Sequence, residues 1–134
     1  MSNKKAGTDF EHEFAELLSG YGFWVHRLQD NHNGQPFDLI AARNGKAYAF
    51  DCKDCQGDKF LFRRMEENQR NAMDLWRECG NVNCFFAVHY PKAGIQLFEY
   101  SDLTDYELDG MKFISQKDAY AYGYNMDEFL RIFA

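Results

Sequence analysis

Asp38, Asp51 and Lys53 are the residues whose types and spacing point most directly to chemistry. Asp51 and Lys53 lie in "AFDCKDC", which has the composition of a strand, so both point to one face and Cys52 points to the other. Asn44-Gly45 predicts a hairpin turn between "FDLIAAR" and "KAYAFDCK", with Asp38 six residues before the turn and Asp51 six residues after it. Two carboxylates and one amine therefore converge at one edge of the predicted sheet.

Two carboxylates in close proximity repel each other unless a cation binds between them or one of them takes up a proton. Carboxylate oxygens are hard ligands, so Asp38 and Asp51 favour Mg²⁺ or Mn²⁺. Such an ion polarises a phosphoryl oxygen and lowers the pKa of a bound water. Lys53 would orient that water or neutralise negative charge in the transition state. The pattern predicts metal-dependent hydrolysis of a phosphodiester, with no small-molecule cofactor.

The elements that must position these residues begin with a helix predicted from about Thr8 to Gly20. Thr8 can cap its N-terminus, Glu11 follows three residues later as a capping-box partner, and Gly20 and Gly22 end the apolar repeat. "FWVHRL" then predicts a first strand, and the two segments that flank the Asn-Gly turn predict an antiparallel pair.

A second helix is predicted from about Glu66 to Cys79, and two further strands are predicted in "VNCFFAVHY" and "IQLFEY". The predicted buried stripe of this helix comprises Met65, Ala72, Leu75 and Trp76. Short helices are predicted at residues 116–123 and 126–133. The order is a helix, three strands, a helix, two strands and helical pieces. It predicts an α/β fold, with a mixed sheet flanked by helices on both faces.

Length and composition predict one ordered domain over residues 1–134, because 46% of the residues are hydrophobic and 17% are aromatic. No apolar run approaches the roughly 20 residues of a membrane span, and the N-terminal segment lacks the apolar stretch of a secretory signal. We therefore expect a cytoplasmic protein with no membrane partner. The net charge of −6 argues against a simple nucleic-acid coat, but carboxylates that hold a cation are compatible with a nuclease.

The cysteines allow a second interpretation, in which Cys52 and Cys55 form a redox pair or half of a zinc site. A zinc site needs four converging ligands, and Cys79 and Cys84 have four residues between them rather than the usual two. A redox pair is favoured at a helix N-terminus, whereas this pair lies at the end of a strand. Cys52, Cys79 and Cys84 are better explained as small buried apolar residues.

Pro36-Phe37-Asp38, twelve intervening residues and then Asp51-Cys52-Lys53 resemble the PD-(D/E)xK signature of metal-dependent nucleases with a restriction-endonuclease-like fold. Within that superfamily the chain looks most like the Holliday junction resolvases, RecU of Firmicutes and, more distantly, archaeal Hjc. Three further stretches fit this resemblance, "GTDFE", "FDCKD" and "FLFRRMEENQRNAMDL", and the C-terminal "FISQKDAYAYGYNM" is similar to the RecU tail. One departure is that only "QDNHNGQPF" separates the first strand from Asp38, where RecU proteins carry a longer segment with a stalk. The resemblance implies an endonuclease that acts on Holliday junctions or other branched DNA in recombination or repair.

Carried over residue by residue, the resemblance implies that Asp38 and Asp51 bind Mg²⁺ or Mn²⁺, with the Cys52 carbonyl as a possible third ligand. It makes Lys53 the catalytic lysine. It also implies a homodimer that presents two such sites to two DNA strands. Two alternatives remain open: an inactive DNA- or protein-binding module on the same fold, and a restriction- or phage-type nuclease that cuts linear duplex DNA.

Further residues fall near this site by the same resemblance or by position. Glu11 is implied as an acid that reaches the metal directly or through water, but a capping-box glutamate explains it equally well. Gln69 is implied as a helper near water or phosphate, although a glutamine on a helix usually faces solvent. A predicted phosphate-contacting patch lies beside the site, and a solvated charged face is the alternative. Its members are Lys59, Arg63, Arg64 and Arg70.

Overall fold

A five-stranded mixed sheet is the centre of the fold, which is known from a computed structural model. The structure describes residues 3–29 and 36–134, with side chains from residue 5 onward. The helices are α1 (Asn3–Gly20), α2 (Glu67–Glu78), α3 (Tyr100–Leu108), α4 (Ala119–Tyr122) and α5 (Met126–Ile132). The strands are β1 (Trp24–Arg27), β2 (Leu39–Arg43), β3 (Lys46–Asp54), β4 (Lys59–Leu61), β5 (Cys84–Tyr90), β6 (Gly94–Glu99) and β7 (Phe113–Ser115).

The strand order in the main sheet is β1-β2-β3-β5-β6, and only β3 and β5 run parallel among its neighbouring pairs. A parallel pair needs a crossover connection, and here β4, a 3-10 turn and α2 supply it. β4 does not join the main sheet but pairs with β7 in a separate two-stranded antiparallel sheet. The predicted α/β fold, a mixed sheet with helices on both faces, is confirmed.

Side-chain alternation on the two central strands divides the core into two layers. Phe50 of β3 and Phe85 of β5 pack on one face, in a cluster with Phe14 of α1 and Phe129 of α5. The residues that alternate with them pack on the other face, beneath α2, α3 and the small sheet. The two faces of β3 are therefore covered by different helices, and a side chain on β3 belongs to one layer or the other. Among the described helices, none is long and apolar enough to cross a membrane.

The predicted start of the first helix at Thr8 is wrong, because α1 already begins at Asn3. Thr8 lies inside the helix, so it is not the N-cap and Glu11 is not its capping-box partner. Polar residues before an apolar repeat do not mark a boundary when they are compatible with helical backbone. The predicted end is confirmed, since α1 stops at Gly20 and Gly22 adopts a positive φ of 90°.

The bounds predicted for the second helix are confirmed, with Glu66 and Cys79 as the caps of α2. Its predicted buried stripe is correct in part. Met65 is buried and Trp76 packs at the edge of the core, but Leu75 is 60% exposed. Met73 is fully buried instead, because the helix is rotated so that Gln69 and Met73 face the sheet.

Three elements were not predicted: α3, β4 and β7. The two strands have three residues each and pair with each other at a long distance along the chain, so neither carries a local alternating pattern. The two C-terminal helices are confirmed, although α4 is shorter than predicted.

Between α4 and α5, Gly123 lies against Leu97 and Phe98, where an added Cβ would come within 2.6 Å of the Leu97 carbonyl oxygen. Only glycine permits this approach, which lets Tyr124 pair with Leu97.

Candidate active site

The β2–β3 hairpin brings Asp38 and Asp51 together. Asn44 and Gly45 both have positive φ values, 52° and 78°, as a two-residue turn that matches the twist of the strands requires. The register pairs Leu39 with Phe50, and the Asp38 N–H donates to the Phe50 carbonyl at 3.0 Å. Asp38, which immediately precedes β2, therefore stands opposite Asp51 as the spacing predicted.

Alternation on β3 places Lys53 on the same face as Asp51 and places Cys52 on the other. Cys52 belongs to the core layer under α1, so its two neighbours point toward the α2 side of the sheet. The Lys53 Nζ lies 3.2 Å from Asp51 Oδ2. The backbone N–H of Cys52 donates to Asp38 Oδ2 at 2.7 Å, which fixes the Asp38 carboxylate beside Asp51. The structure thus brings together the three residues that the sequence singled out.

Asp51 is fully buried, yet neither of its carboxylate oxygens has a hydrogen-bond partner among the described residues. The contact with Lys53 is an ion pair without the alignment of a hydrogen bond. Burial raises the pKa of the Asp51 carboxyl well above its ordinary range; the charge of Asp38 raises it further and that of Lys53 opposes the shift. Two carboxylates facing one ammonium leave one negative charge uncompensated. A bound cation would coordinate the carboxylate oxygens that lack hydrogen-bond partners and would neutralise the excess negative charge.

The donor set at this position fits a hard divalent cation. Within the described part of the chain, no three His, Cys, Asp or Glu side chains come together as a metal-binding group. Asp38 and Asp51 would supply two carboxylate oxygens, and the Cys52 carbonyl lies on the backbone next to Asp51. Mg²⁺ is typically bound by one or two carboxylates and keeps its remaining positions for water and substrate phosphate. A closed zinc cage, by contrast, needs four protein ligands.

Glu11 lies on α1, which covers the Cys52 face of β3. Arg27 at the end of β1 donates from its Nε to Glu11 Oε1 at 3.3 Å, and the Glu11 side chain is 16% exposed. The negative charge of Glu11 is one of the causes that raise the pKa of the Cys52 thiol, after burial and the two aspartates. Glu11 is therefore close enough to act electrostatically on the centre of the site, but it approaches from the opposite face of the sheet.

Gln69 is buried at the N-terminus of α2, not solvent-facing. Its side-chain oxygen accepts a hydrogen bond from the backbone N–H of Glu66 at 3.0 Å, in a capping box. The structure thus gives its oxygen a role in starting the helix.

The four basic residues of the predicted patch have different surroundings. Lys59 is exposed and its ammonium lies 4.3 Å from the centre of the Phe113 ring. Arg63 is also exposed. Arg64 donates to the Asp54 carbonyl at 3.0 Å, next to Lys53. Only the first two present their charge freely to solvent.

Arg70 differs from these three because all of its side-chain nitrogens donate within the protein. Its two terminal nitrogens bind the Glu107 carboxylate of α3 at 2.7 Å and 2.9 Å, and its Nε donates to the Met65 carbonyl at 2.9 Å. One terminal nitrogen also donates to the Phe62 carbonyl at 3.2 Å. The structure does not bring Arg70 to the site but uses it to join α2 to α3.

The cysteines are packing residues with one exception. Cys52, Cys55 and Cys84 are buried, and burial raises the pKa of the Cys84 thiol to about 12. A thiol with a raised pKa stays protonated and is a poor nucleophile or metal ligand. Cys79 was predicted to be buried and this is wrong: it caps α2 at the surface, because the helix faces the core with Met73.

Three residues near the site were missed by the sequence reasoning: Arg27, Asp54 and His89. Arg27 pairs with Glu11, and its alternation with Val25 in "FWVHRL" indicated that it shares the α1 face. Asp54 follows Lys53 and binds His89 on the neighbouring parallel strand. Nothing local signals that contact, because it depends on the register of β3 against β5.

Comparison with known proteins agrees with this geometry. The profile of the family described as "Archaeal holliday junction resolvase (hjc)" matches residues 2–133. No curated protein sequence matches the chain. Among solved structures, the chain is similar to Hjc of Archaeoglobus fulgidus, a Holliday junction resolvase from an archaeal hyperthermophile. The TM-score is 0.69 at 20% identity, over 91% of this chain and 98% of that chain.

The structural likeness shows the restriction-endonuclease-like fold, and the profile match shows the family. The family is the archaeal one, which the resemblance had put second to RecU, and this agrees with the short segment before Asp38. The chain therefore belongs to the archaeal Hjc family of Holliday junction resolvases and is a metal-dependent endonuclease that cleaves DNA junctions.

Proposed function

We propose that this chain cuts four-way DNA junctions with Mg²⁺ held between Asp38 and Asp51, and that Lys53 is its catalytic lysine. The observation that carries the proposal is the buried Asp51 carboxylate, whose two oxygens have no hydrogen-bond partner among the described residues. Burial of an unsatisfied carboxylate costs free energy, and the cost is offset when a cation binds there. Asp38, held beside it by the Cys52 N–H, and the Cys52 carbonyl would add oxygen ligands of the kind that Mg²⁺ prefers.

The chemistry is divided between the ion and the residues around it. When bound, the ion would supply Lewis acidity toward a phosphoryl oxygen and acidify a coordinated water. Asp38 is kept in one orientation by the Cys52 N–H, so its carboxylate is oriented before substrate arrives. Lys53 lies in the same buried space and carries the positive charge that stabilises an attacking water or the pentacovalent phosphorane. Glu11 approaches from the α1 side, so it would act on the ion through a bound water rather than directly.

Lys59, Arg63 and Arg64 are proposed to contact the phosphates of the DNA arm that leaves the site. Lys59 and Arg63 are exposed, and Lys112 follows the same edge, where its carbonyl accepts from the Phe62 N–H. The logarithm of the binding constant falls linearly with the logarithm of the salt concentration. Removal of a lysine that contacts one phosphate makes this slope less negative by about 0.9. Lys59→Ala should therefore make the salt slope less negative by about 0.9, the value for one phosphate contact. Lys92→Ala, at the β5–β6 turn, should leave the slope unchanged.

The chain is further proposed to act as a single-domain protein that forms a homodimer in the cytoplasm. A four-way junction requires two symmetric cuts, and a two-fold dimer presents two identical sites to two strands. A measured molecular mass of one protomer, with full junction cleavage, would contradict the homodimer.

The decisive experiment compares cleavage of labelled four-way junction, flap, linear duplex and single-stranded DNA in Mg²⁺, Mn²⁺ or EDTA. Wild type should cut the junction only with metal. Asp51→Asn and Lys53→Ala should bind the junction but not cut it, and the matched control Asp105→Asn, on the exposed side of α3, should cut normally. Cutting in EDTA, or undiminished cutting by either site variant, would overturn the proposed mechanism. Preference for linear duplex would overturn the proposed substrate.

A further inference from the structure

His89, near the end of β5, has a fixed environment that the site described above does not use. Its Nδ1 lies 2.7 Å from Asp54 Oδ1, and its ring stacks on that of Phe10, with centroids 5.2 Å apart and planes 23° apart. The His89 side chain is 41% exposed and the Asp54 side chain only 11%. The acceptor carboxylate is therefore mostly buried, whereas part of the His89 ring faces solvent.

Each group around His89 is held in turn by a further contact. An ionised carboxylate only accepts hydrogen bonds, so the Nδ1–H of His89 is the donor to Asp54. The side-chain amide of Gln56 donates to the other oxygen of Asp54. The Cys55 N–H donates to the His89 carbonyl at 2.8 Å, which ties the backbone of the two strands together at this point. His89 has no freedom to leave this position without breaking several contacts.

The two partners of His89 are chain neighbours of two residues in the proposed mechanism. Phe10 precedes Glu11 on α1, and Asp54 follows Lys53 on β3. Glu11 and Lys53 come from different elements and from opposite faces of the sheet, so no direct backbone pairing sets the distance between them. The path from Phe10 through the His89 ring to Asp54 connects the helix and the strand beside both residues.

We propose that His89 is a positioning residue for the nuclease reaction, which clamps α1 onto the end of β3 and so fixes Glu11 relative to Lys53. The inference rests on the proposed roles of Glu11 and Lys53. Catalytic groups act only when they hold a productive geometry, and a displacement of about 1 Å can lower the rate by about 100-fold. His89 itself touches Asp54 and Phe10 and is not placed against the reacting atoms.

The two contacts of His89 can be removed separately. His89→Ala removes both contacts, His89→Phe keeps only the ring on Phe10, and His89→Asn keeps only an amide donor for Asp54. The matched control is His26→Ala, because His26 is an exposed histidine on β1 with its ring against Trp24. For each variant we would measure single-turnover cleavage of a four-way junction in Mg²⁺, junction affinity in EDTA, and the melting temperature.

The expected result for His89→Ala is a cleavage rate lower by about 10- to 100-fold, with junction affinity unchanged within about twofold. His89→Phe and His89→Asn should each recover part of the rate, and His26→Ala should match wild type. A folded His89→Ala protein that cuts at the wild-type rate would overturn the proposal. If His89→Ala fails to fold, Asp54→Asn and His89→Phe test the hydrogen bond to Asp54 and His89→Asn tests the ring contact with Phe10, and wild-type cleavage by all three would overturn the proposal.

A double-mutant comparison separates positioning from a general loss of stability. If His89 acts through Glu11, His89→Ala should cost much less in a Glu11→Gln background than in wild type, because the residue that it positions is already disabled. Equal losses in both backgrounds would show that His89 does not act through Glu11. Wild-type cleavage by both Glu11→Gln and Lys53→Ala would instead contradict the proposed function, whereas their failure to cut together with a fully active His89→Ala would contradict only this inference.

Discussion

The Arg70–Glu107 pair and the Asp51–Lys53 pair each join a carboxylate to a cation, but they differ in how many of their hydrogen bonds are made. Arg70 and Glu107 are each about 30% exposed, at 28% and 31%, and both oxygens of Glu107 accept from the guanidinium. Asp51 and Lys53 are almost completely buried, and neither oxygen of Asp51 has a hydrogen-bond partner among the described residues. The pair near the surface makes all the hydrogen bonds that its carboxylate oxygens need, whereas the carboxylate of the buried pair makes none among the described residues.

This difference distinguishes charged residues that stabilise the fold from charged residues that are available to bind a ligand. A saturated bidentate pair has no capacity left for a ligand, and its effect is to stabilise the packing of α2 against α3. A buried carboxylate without hydrogen-bond partners costs stability in the metal-free protein, and such a cost persists where the missing partner is a ligand. Removing a charge should therefore weaken the fold at the first pair and weaken only function at the second.

The largest expected effect is the loss of cleavage in Asp51→Asn. We expect the rate to fall by at least about 100-fold, because one of two carboxylate ligands is lost, while junction binding is retained. The same substitution should increase the free energy of unfolding of the metal-free protein by about 1–3 kcal/mol, because an uncompensated buried charge is removed. The measurements are single-turnover cleavage in Mg²⁺ and urea denaturation in EDTA. An inactive but destabilised variant would show that the Asp51 charge supports the fold.

A smaller effect is expected from metal binding on stability. An ion that binds only the folded state stabilises it by about 2.7 kcal/mol at a concentration of 100 times its dissociation constant. Mg²⁺ should raise the melting temperature of wild type by several degrees and leave that of Asp51→Asn nearly unchanged. Arg70→Ala should keep the full response, since its pair is remote from the ligands. A Mg²⁺ response of equal size in Asp51→Asn would place the ion elsewhere.

Arg70→Ala should destabilise the protein by about 2 kcal/mol, because hydrogen bonds to charged groups contribute about 1.5–3 kcal/mol and two carbonyls lose their donor. The Glu107 hydrogen bonds raise the pKa of Arg70, which agrees with a pair that favours the charged form. Cleavage per folded molecule and the salt dependence of junction binding should not change. A lower salt slope in Arg70→Ala would mean that Arg70 contacts phosphate after all, as the sequence predicted.

The comparison also shows which parts of the molecule could be predicted from sequence. Asp38, Asp51 and Lys53 could be brought together because an Asn-Gly turn sets the register of a local hairpin and strand alternation sets the faces. Every step uses residues within about fifteen positions of one another. The fold class followed for a similar reason, since the order of elements limits the possible sheets.

The contacts of Arg70 and of His89 could not be predicted from local sequence in this way. Glu107 is 37 residues from Arg70, and Asp54 is 35 residues from His89. Whether a basic residue is free to bind phosphate depends on such distant partners, which no local pattern encodes. The same limit explains why the rotation of α2 was missed, since Leu75 and Met73 are equally apolar and only packing against the sheet distinguishes them.

The last expected effect is a difference in the pH dependence of stability between wild type and Asp51→Asn in EDTA. The pKa of Asp51 is raised in the folded state, by burial first and then by Asp38. The folded protein therefore binds a proton that the unfolded chain has already released, at any pH between the ordinary aspartate pKa of about 3.9 and the raised one. Over that interval wild type loses stability as the pH rises, and Asp51→Asn lacks this contribution.

The advantage of Asp51→Asn over wild type should accordingly grow with pH, by up to about 1.4 kcal/mol per pH unit, until the raised pKa is passed. Urea denaturation of both proteins from pH 5 to pH 8 would measure the difference, and Arg70→Ala is the reference, since its guanidinium does not titrate in this range. The curve for Arg70→Ala should run parallel to wild type at lower stability. Parallel curves for Asp51→Asn and wild type would mean that Asp51 is ionised in the metal-free fold, and that Lys53 alone compensates its charge.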